Sequence, residues 1–144
     1  MGSWGHHAFE NDTALDWLTT FEANRSAAFI SSTILRTPRE ESQSWIHRLL
    51  GLRSNSIEPS DEEVLAAIET LCVLRGAPSH IIPDELETSN ELDTSEITIE
   101  VCLRALDYLE QESLLRSAWE EAGARQLGLW LGEVEDLRTR ISNT

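Results

Sequence analysis

Apolar residues recur at spacings of three and four through most of this chain, which is the period of an α-helix with one buried face. The pattern is longest near the end, where it includes Leu127, Trp130, Leu131, Val134, Leu137 and Ile141. No segment has a strand pattern strong enough to predict a sheet. The sequence therefore predicts an all-α fold, in which residues 1–144 form one compact domain of about six to seven helices.

Capping residues indicate where these helices begin and end. Asn11 precedes the first helix, and Ser60 forms a capping box with Glu63 before the fourth. Gly76 and Gly123 are predicted to end helices. The helices are expected over about residues 12–24, 26–36, 38–51, 61–75, 94–109, 112–121 and 127–141.

A proline-containing connection joins the fourth and fifth helices. Residues 77–92 contain Pro78 and Pro83, and we expect this segment to be ordered, with its apolar residues packed under the core. Those apolar residues are Ile81, Ile82 and Leu86. Asp93 and Glu96 form a second capping box at the start of the fifth helix. The wide apolar face of that helix predicts that it is the central one.

All 11 basic residues of the chain are arginines. The absence of lysine excludes reactions that need an amine on a flexible side chain, such as Schiff-base formation, pyridoxal-phosphate anchoring and phosphate-loop chemistry. The sequence also lacks the GxSxG, dinucleotide-binding and HExxH motifs. We therefore predict no cofactor and no catalytic residue.

Charge is distributed unevenly along the chain. Residues 1–57 carry 6 acids and 5 arginines, whereas residues 58–144 carry 20 acids and 6 arginines. Such an acidic field repels nucleic acid and anionic membranes, and it speeds encounter with basic proteins or cations. An acidic surface that only maintains solubility would have the same composition. The candidate partner-binding acids, all from the most acidic stretch, are Asp84, Glu85, Glu87, Glu91 and Asp93.

The two cysteines and the apolar segments bear on location. Cys72 and Cys102 lie among apolar helical residues, which predicts buried thiols in a reducing compartment, with a buried disulfide as the alternative. No apolar run reaches the ~18 residues needed to cross a bilayer, and the first residues lack the order of a secretory signal. We therefore expect a cytoplasmic protein that does not bind membranes.

Residues near the amino terminus supply the candidates for a metal or binding site. His6 and His7 lie close in sequence to Asp12 and Asp16, and these side chains could bind a divalent metal ion if the segment folded back on the first helix. Their spacing matches no established metal site, so a pair of surface histidines is the favoured interpretation. Trp4 either covers the core or is exposed as a binding anchor.

Three segments of the sequence resemble a known family. They are MGSWGHHAFENDTALDWL at the start, DEEVLAAIETLCVLRGAPS with IIPDEL shortly after it, and SLLRSAWEEAG with EDLRTRI near the end. All three look like the bacterial domain-of-unknown-function 4259 family, whose opening motif matches Trp4, Gly5, Phe9, Asn11, Asp12, Ala14, Asp16 and Trp17. His7 stands where the family usually has a glycine, which argues against a positive-φ turn there. The resemblance implies a small, mainly helical domain and no established activity.

Three hypotheses on function follow from these observations. The preferred one is a non-enzymatic acidic interaction protein of the immunity or inhibitor kind, which neutralises a basic partner such as a nuclease toxin. The first alternative is a small metal-dependent or otherwise unfamiliar enzyme that uses the amino-terminal His and Asp residues. The second is a self-associating helical domain, since Gly128 and Gly132 would let the last helix of a second copy approach closely in a homodimer.

Overall fold

The structure is a computed structural model, in which residues 5–37, 39–40, 56–87 and 92–144 are described. Seven helices lie within these ranges, which confirms the predicted all-α domain. They are α1 (Asp12–Ala23), α2 (Ala27–Ile34), α3 (Asp61–Leu74), α4 (Asp84–Glu87), α5 (Ile99–Glu112), α6 (Leu114–Glu121) and α7 (Ala124–Ser142). Two short strands, β1 (Arg39–Glu40) and β2 (Ser56–Ile57), pair antiparallel. Each helix in the described ranges is too short or too polar to cross a lipid bilayer.

The central helix of the domain is α3. Its residues 64–72 are all buried, and it packs against α1, α2, α5, α6 and α7. This segment is apolar on nearly every side, so the surrounding helices can cover all of it. The predicted centre, α5, buries Cys102, Leu106 and Leu109 and keeps its other face exposed. That prediction was wrong because even a wide apolar stripe leaves a polar face that must contact water.

Side-chain caps begin α1 and α3 where the sequence predicts. The Asn11 side chain accepts a hydrogen bond from the backbone N–H of Ala14 at 2.7 Å. Ser60 accepts from the backbone N–H of Glu63, whose carboxylate accepts from the backbone N–H of Ser60. These bonds satisfy backbone donors that lack partners inside the helix, so the two helix starts were predictable from local sequence.

The start of α5 differs from the prediction. α5 begins at Ile99, and the Thr98 side chain caps it. The Asp93 carboxylate instead accepts the backbone N–H of Ser95 at 3.0 Å. A short acidic side chain that bonds two residues ahead forms a turn, which competes with the start of a helix. The predicted capping box of Asp93 and Glu96 was therefore wrong.

The helix predicted from Pro38 is also not found at its start. Arg39 and Glu40 lie in β1, where Arg39 is opposite Ile57 of β2. Pairing with β2 uses backbone groups that a first helical turn would need, so these two residues are not helical. The remainder of that predicted helix, residues 41–51, lies outside the described residues.

Burial of the apolar connection is only partly as predicted. Leu86 of α4 is buried in the core, which confirms its prediction, and Ile82 is partly buried. Ile81 is 40% exposed, so its predicted burial was wrong. The single turn of α4 inserts one side chain against α3 and leaves the preceding loop at the surface. Leu114, the first residue of α6, is 84% exposed.

The thiols of Cys72 and Cys102 are free and buried, as predicted. Burial raises the pKa of Cys72 to about 12 and that of Cys102 to about 11. Both cysteines therefore remain protonated at neutral pH and behave as small apolar side chains, because the reactive form of cysteine is the thiolate.

Replacing glycine by alanine should have opposite effects on stability before α7 and within it, because the backbone conformations differ. Gly123 precedes α7 with φ of 120°. Gly128 and Gly132 lie within the helix, and among the described residues only the adjoining backbone of α7 comes within 4 Å of a Cβ added there. Gly123→Ala will lower the free energy of unfolding by about 1 to 3 kcal/mol, because a residue with a Cβ rarely adopts this backbone conformation. Gly128→Ala and Gly132→Ala will each raise it by about 0.5 to 1 kcal/mol through helix propensity. Urea unfolding of the three variants measures these changes.

The opposite sign at Gly128 or Gly132 would contradict this account of an open helix face. If alanine there lowered stability and also converted a dimer to a monomer in light scattering, the face would be an interface between two copies of the chain.

Candidate binding site

An amino-terminal turn, residues 5–10, lies against the end of the helical domain. His6 Nε2 lies 2.7 Å from Oε1 of Gln126 in α7. His7 Nδ1 lies 2.8 Å from Oε2 of Glu133, two turns further along the same helix. Two successive histidines therefore fasten the turn to α7, each through a polar partner more than 100 positions away in sequence.

The shape of this turn depends on a close approach between its own ends. A Cβ atom on Gly5 would overlap the carboxylate of Glu10, so a larger residue there would displace that side chain. That carboxylate accepts the backbone N–H of His7 at 3.3 Å. On its other side, the His7 ring meets the edge of His80 at a centroid distance of 5.3 Å. The turn is thus held by contacts on both sides of His7.

The amino-terminal turn forms one wall of a pocket of about 290 Å³. The first turns of α1 and α3 and one side each of α6 and α7 form the other walls. The residues that determine its chemistry are His6, Asp12, Glu62, Ala118, Trp119 and Trp130. The described residues that line it include two carboxylates and no arginine. We call this cavity the tryptophan pocket.

A buried ion pair lines a second, smaller cavity, which shares Leu65 and Trp130 with the tryptophan pocket. Arg140 Nη1 lies 2.7 Å from Oε2 of Glu69, whose side chain is almost fully buried. The other Glu69 oxygen accepts the backbone N–H of Ser79 at 3.2 Å. Burial raises the pKa of Glu69, and the guanidinium of Arg140 offsets only part of that increase.

Both oxygens of Glu69 have partners, so this pair is a structural link between α3 and α7. The adjoining cavity holds only about 20 Å³, which is room for about one water molecule and no larger ligand. Sequence analysis missed the pair, although an acid inside the most apolar helix was a signal that a buried partner exists.

A family comparison agrees with the extent of this architecture. The sequence model of a family described as a domain of unknown function, DUF4259, matches residues 2–132. The chain belongs to the DUF4259 family. The matched range includes the amino-terminal turn and every wall of the tryptophan pocket. No curated protein and no solved structure matches the chain.

The opening motif that carries the DUF4259 resemblance builds the fold. Phe9, Ala14 and Trp17 are buried in the core, and Asn11 caps α1. His7 does not have a positive φ, as its replacement of the usual glycine predicted. Packing and capping therefore account for Phe9, Asn11, Ala14 and Trp17, but not for Asp12, which lines the tryptophan pocket.

The amino-terminal candidates for a metal site are placed apart in this DUF4259 structure. His6 and Asp12 line the tryptophan pocket, His7 contacts Glu133, and Asp16 is exposed on α1. Within the described ranges, no group of three or more His, Cys, Asp or Glu side chains could hold a metal ion. Of the four candidates, only His6 and Asp12 line the tryptophan pocket.

The structure describes the side chains of three of the five predicted partner-binding acids. Asp84 and Glu85 are exposed at the start of α4. Asp93 is also exposed, and its hydrogen bonds with Ser95 lower its pKa. The side chain of Glu87, together with the whole of Glu91 and Trp4, lies outside the described residues. Asp93 therefore shapes a turn as well as contributing charge.

Most arginines of the acidic half are already engaged inside this DUF4259 domain. Arg138 lies within 3.3 Å of three carboxylates, and Arg75 donates to the backbone carbonyls of Thr94 and Ile97. Five of the six arginines in residues 58–144 have such partners, namely Arg75, Arg104, Arg116, Arg138 and Arg140. Four of these arginines are paired with carboxylates and Arg75 is bonded to uncharged groups, so the acids of this half of the chain remain in surplus.

Proposed function

We propose that this DUF4259 protein is a non-enzymatic interaction protein of the immunity or inhibitor kind, which binds a basic partner such as a nuclease toxin. One observation carries the proposal. In the acidic half of the chain, residues 58–144, five of the six arginines are bonded to groups of the same domain. Because those guanidinium groups are bound within the domain, they do not attract acidic partners, and the exposed carboxylates dominate the field.

A surface of carboxylates can occupy the cleft that a nuclease uses for phosphates. Charge of one sign speeds association, and salt weakens the attraction over a Debye length of about 8 Å at physiological ionic strength. The buried free thiols of Cys72 and Cys102 support a reducing location, so we place this interaction in the cytoplasm.

The test compares two double charge reversals in a pull-down from lysate of the source organism at low and moderate salt. Asp84→Arg with Glu85→Arg reverses charge at the start of α4, and Asp16→Arg with Glu121→Arg makes the same change in net charge elsewhere. We expect wild type to retain a basic protein that salt releases. The α4 variant should retain about threefold to tenfold less of that protein after a short contact time, because it removes the local field that steers the encounter.

Asp93 is left intact in this design, since its carboxylate holds a turn whose loss would confuse the result. An equal loss of retention in both variants would show that overall charge, and not the α4 region, guides binding. Unchanged binding by both, or retention of no basic protein by wild type, would overturn the proposal.

A further inference from the structure

We infer that the tryptophan pocket binds a guanidinium group, presented as an arginine side chain of the basic partner. The identity of the partner rests on the proposed function, whereas the affinity of the pocket for the group can be measured without any partner. Three properties of the pocket carry the inference: its charge, its aromatic wall and its size.

The charge of the pocket favours a cation. Asp12 and Glu62 lie in the first turns of α1 and α3, and within the described part of the chain neither carboxylate has a hydrogen-bonded or ion-paired partner. The capping box of α3 uses the neighbouring Glu63, so Glu62 is left to face the pocket. Each helix start contributes about half a positive charge, which two full carboxylates outweigh.

The aromatic wall favours a flat cation. Trp119 is the partly exposed indole of the pocket lining, since Trp130 is only 1% exposed. Indole is the side chain whose face attracts cations most strongly. The His6 ring lies 4.7 Å from Trp119, with the two planes inclined by 35°, and Gln126 holds His6 in place. The wall is therefore formed before a ligand arrives, which reduces the ordering cost of binding.

Size and geometry favour an arginine side chain. A cavity of about 290 Å³ is at the small end of ligand sites, which span roughly 300 to 1,000 Å³, and suits one side chain. A guanidinium can donate to carboxylates on two helices while it stacks on an aromatic ring. The ammonium of lysine is a more strongly hydrated point charge and cannot stack in that way.

The experiment titrates the full-length protein with N-acetyl-arginine amide and follows the tryptophan indole N–H signals by NMR. N-acetyl-citrulline amide, which has the same shape without the charge, is the matched ligand, and N-acetyl-lysine amide tests for a point charge. We expect the arginine probe to bind at least about tenfold more tightly than the citrulline probe, since only its guanidinium is charged.

Three variants locate the site. Asp12→Asn and Glu62→Gln remove charge, and we expect each to weaken binding of the arginine probe about threefold to tenfold. Ala118→Leu fills the pocket from α6 and should abolish binding. Glu112→Gln removes one exposed charge at the end of α5, outside the pocket, and should leave binding unchanged. Thermal melting confirms that each variant is folded.

The inference is overturned if the citrulline probe binds as tightly as the arginine probe, if no probe binds, or if folded Ala118→Leu binds like wild type. Its failure is distinguishable from failure of the proposed function. If Ala118→Leu still binds a salt-sensitive basic partner, the proposed function is supported and the arginine site is not. If the arginine probe binds specifically but no basic partner is found, the arginine site is supported and the proposed function is not.

Discussion

Arg140→Met will lower the free energy of unfolding by about 3 to 5 kcal/mol at pH 7, because it leaves the carboxylate of Glu69 buried without its cation. The two side chains are joined at 2.7 Å between α3 and α7, and Arg140 also donates to the backbone carbonyl of Ala77 at 3.1 Å. Loss of one partner removes the attraction while the cost of burying the other charge remains. Urea unfolding of wild type and variant measures the difference.

The effect of pH on this variant has a definite sign. Burial raises the pKa of Glu69 in the folded protein above its ordinary value of 4.5, so the folded state holds the proton more tightly than the unfolded state. Its contribution to stability is therefore greatest at low pH and is lost as pH rises through the folded pKa. Without Arg140 the folded pKa rises further, so the penalty at pH 7 will shrink on acidification toward pH 5.

The matched control is Glu69→Gln, which keeps an acceptor for the backbone N–H of Ser79 and removes the buried charge. We expect it to cost about 1 to 2 kcal/mol, and the double variant with Arg140→Met to be more stable than Arg140→Met alone. If the double variant were no more stable, the penalty would come from lost packing of the Arg140 side chain instead of from an unpaired charge.

Trp17→Ala will lower the free energy of unfolding by about 3 to 5 kcal/mol, as expected for a large buried aromatic side chain. Trp17 stacks on Phe21 at a centroid distance of 5.4 Å and contacts Phe29 at 5.5 Å. Its indole N–H donates to Oγ1 of Thr33 at 3.0 Å, inside the core. The variant therefore loses packing between α1 and α2 and leaves a cavity. Urea unfolding at pH 7 tests the prediction.

Two smaller changes separate ring packing from the hydrogen bond. Trp17→Phe keeps an aromatic ring and should cost about 1 to 2 kcal/mol. Thr33→Val keeps the shape but leaves the indole N–H of Trp17 without its acceptor, so we expect a similar cost. A loss in Trp17→Phe as large as that in Trp17→Ala would contradict the view that ring packing dominates.

Local sequence predicted the fold best where a helix depends on its own residues. The cap at Asn11 and the capping box at Ser60 satisfy backbone groups within three positions, so both could be recognised from spacing alone. The same reasoning failed at Asp93. Its carboxylate accepts the backbone N–H of Ser95, two positions ahead, instead of the backbone N–H of Glu96 that a capping box would use. The prediction that Ile81 is buried was wrong for another reason. The spacing of apolar residues does not show how much room the neighbouring helices leave for a side chain.

The tryptophan pocket was only partly predictable. Sequence analysis selected His6 and Asp12 from their residue types as candidates for a metal site, and it favoured a pair of surface histidines over metal binding. Glu62 and Trp119 were not selected as site residues, because nothing in sequence places them beside a turn more than fifty positions away. Only the packing of the amino-terminal turn between α6 and α7 brings these groups to one surface.

An all-α fold, family membership, two buried thiols and an acidic half of the chain could all be predicted from sequence, since periodicity, motif and composition are local or additive properties. The central position of α3, the pairing of Glu69 with Arg140 and the pocket beside the amino-terminal turn could not. Those features depend on which helix faces meet. Contacts between residues about 70 to 120 positions apart are set by packing of the whole chain, and no window of sequence contains them.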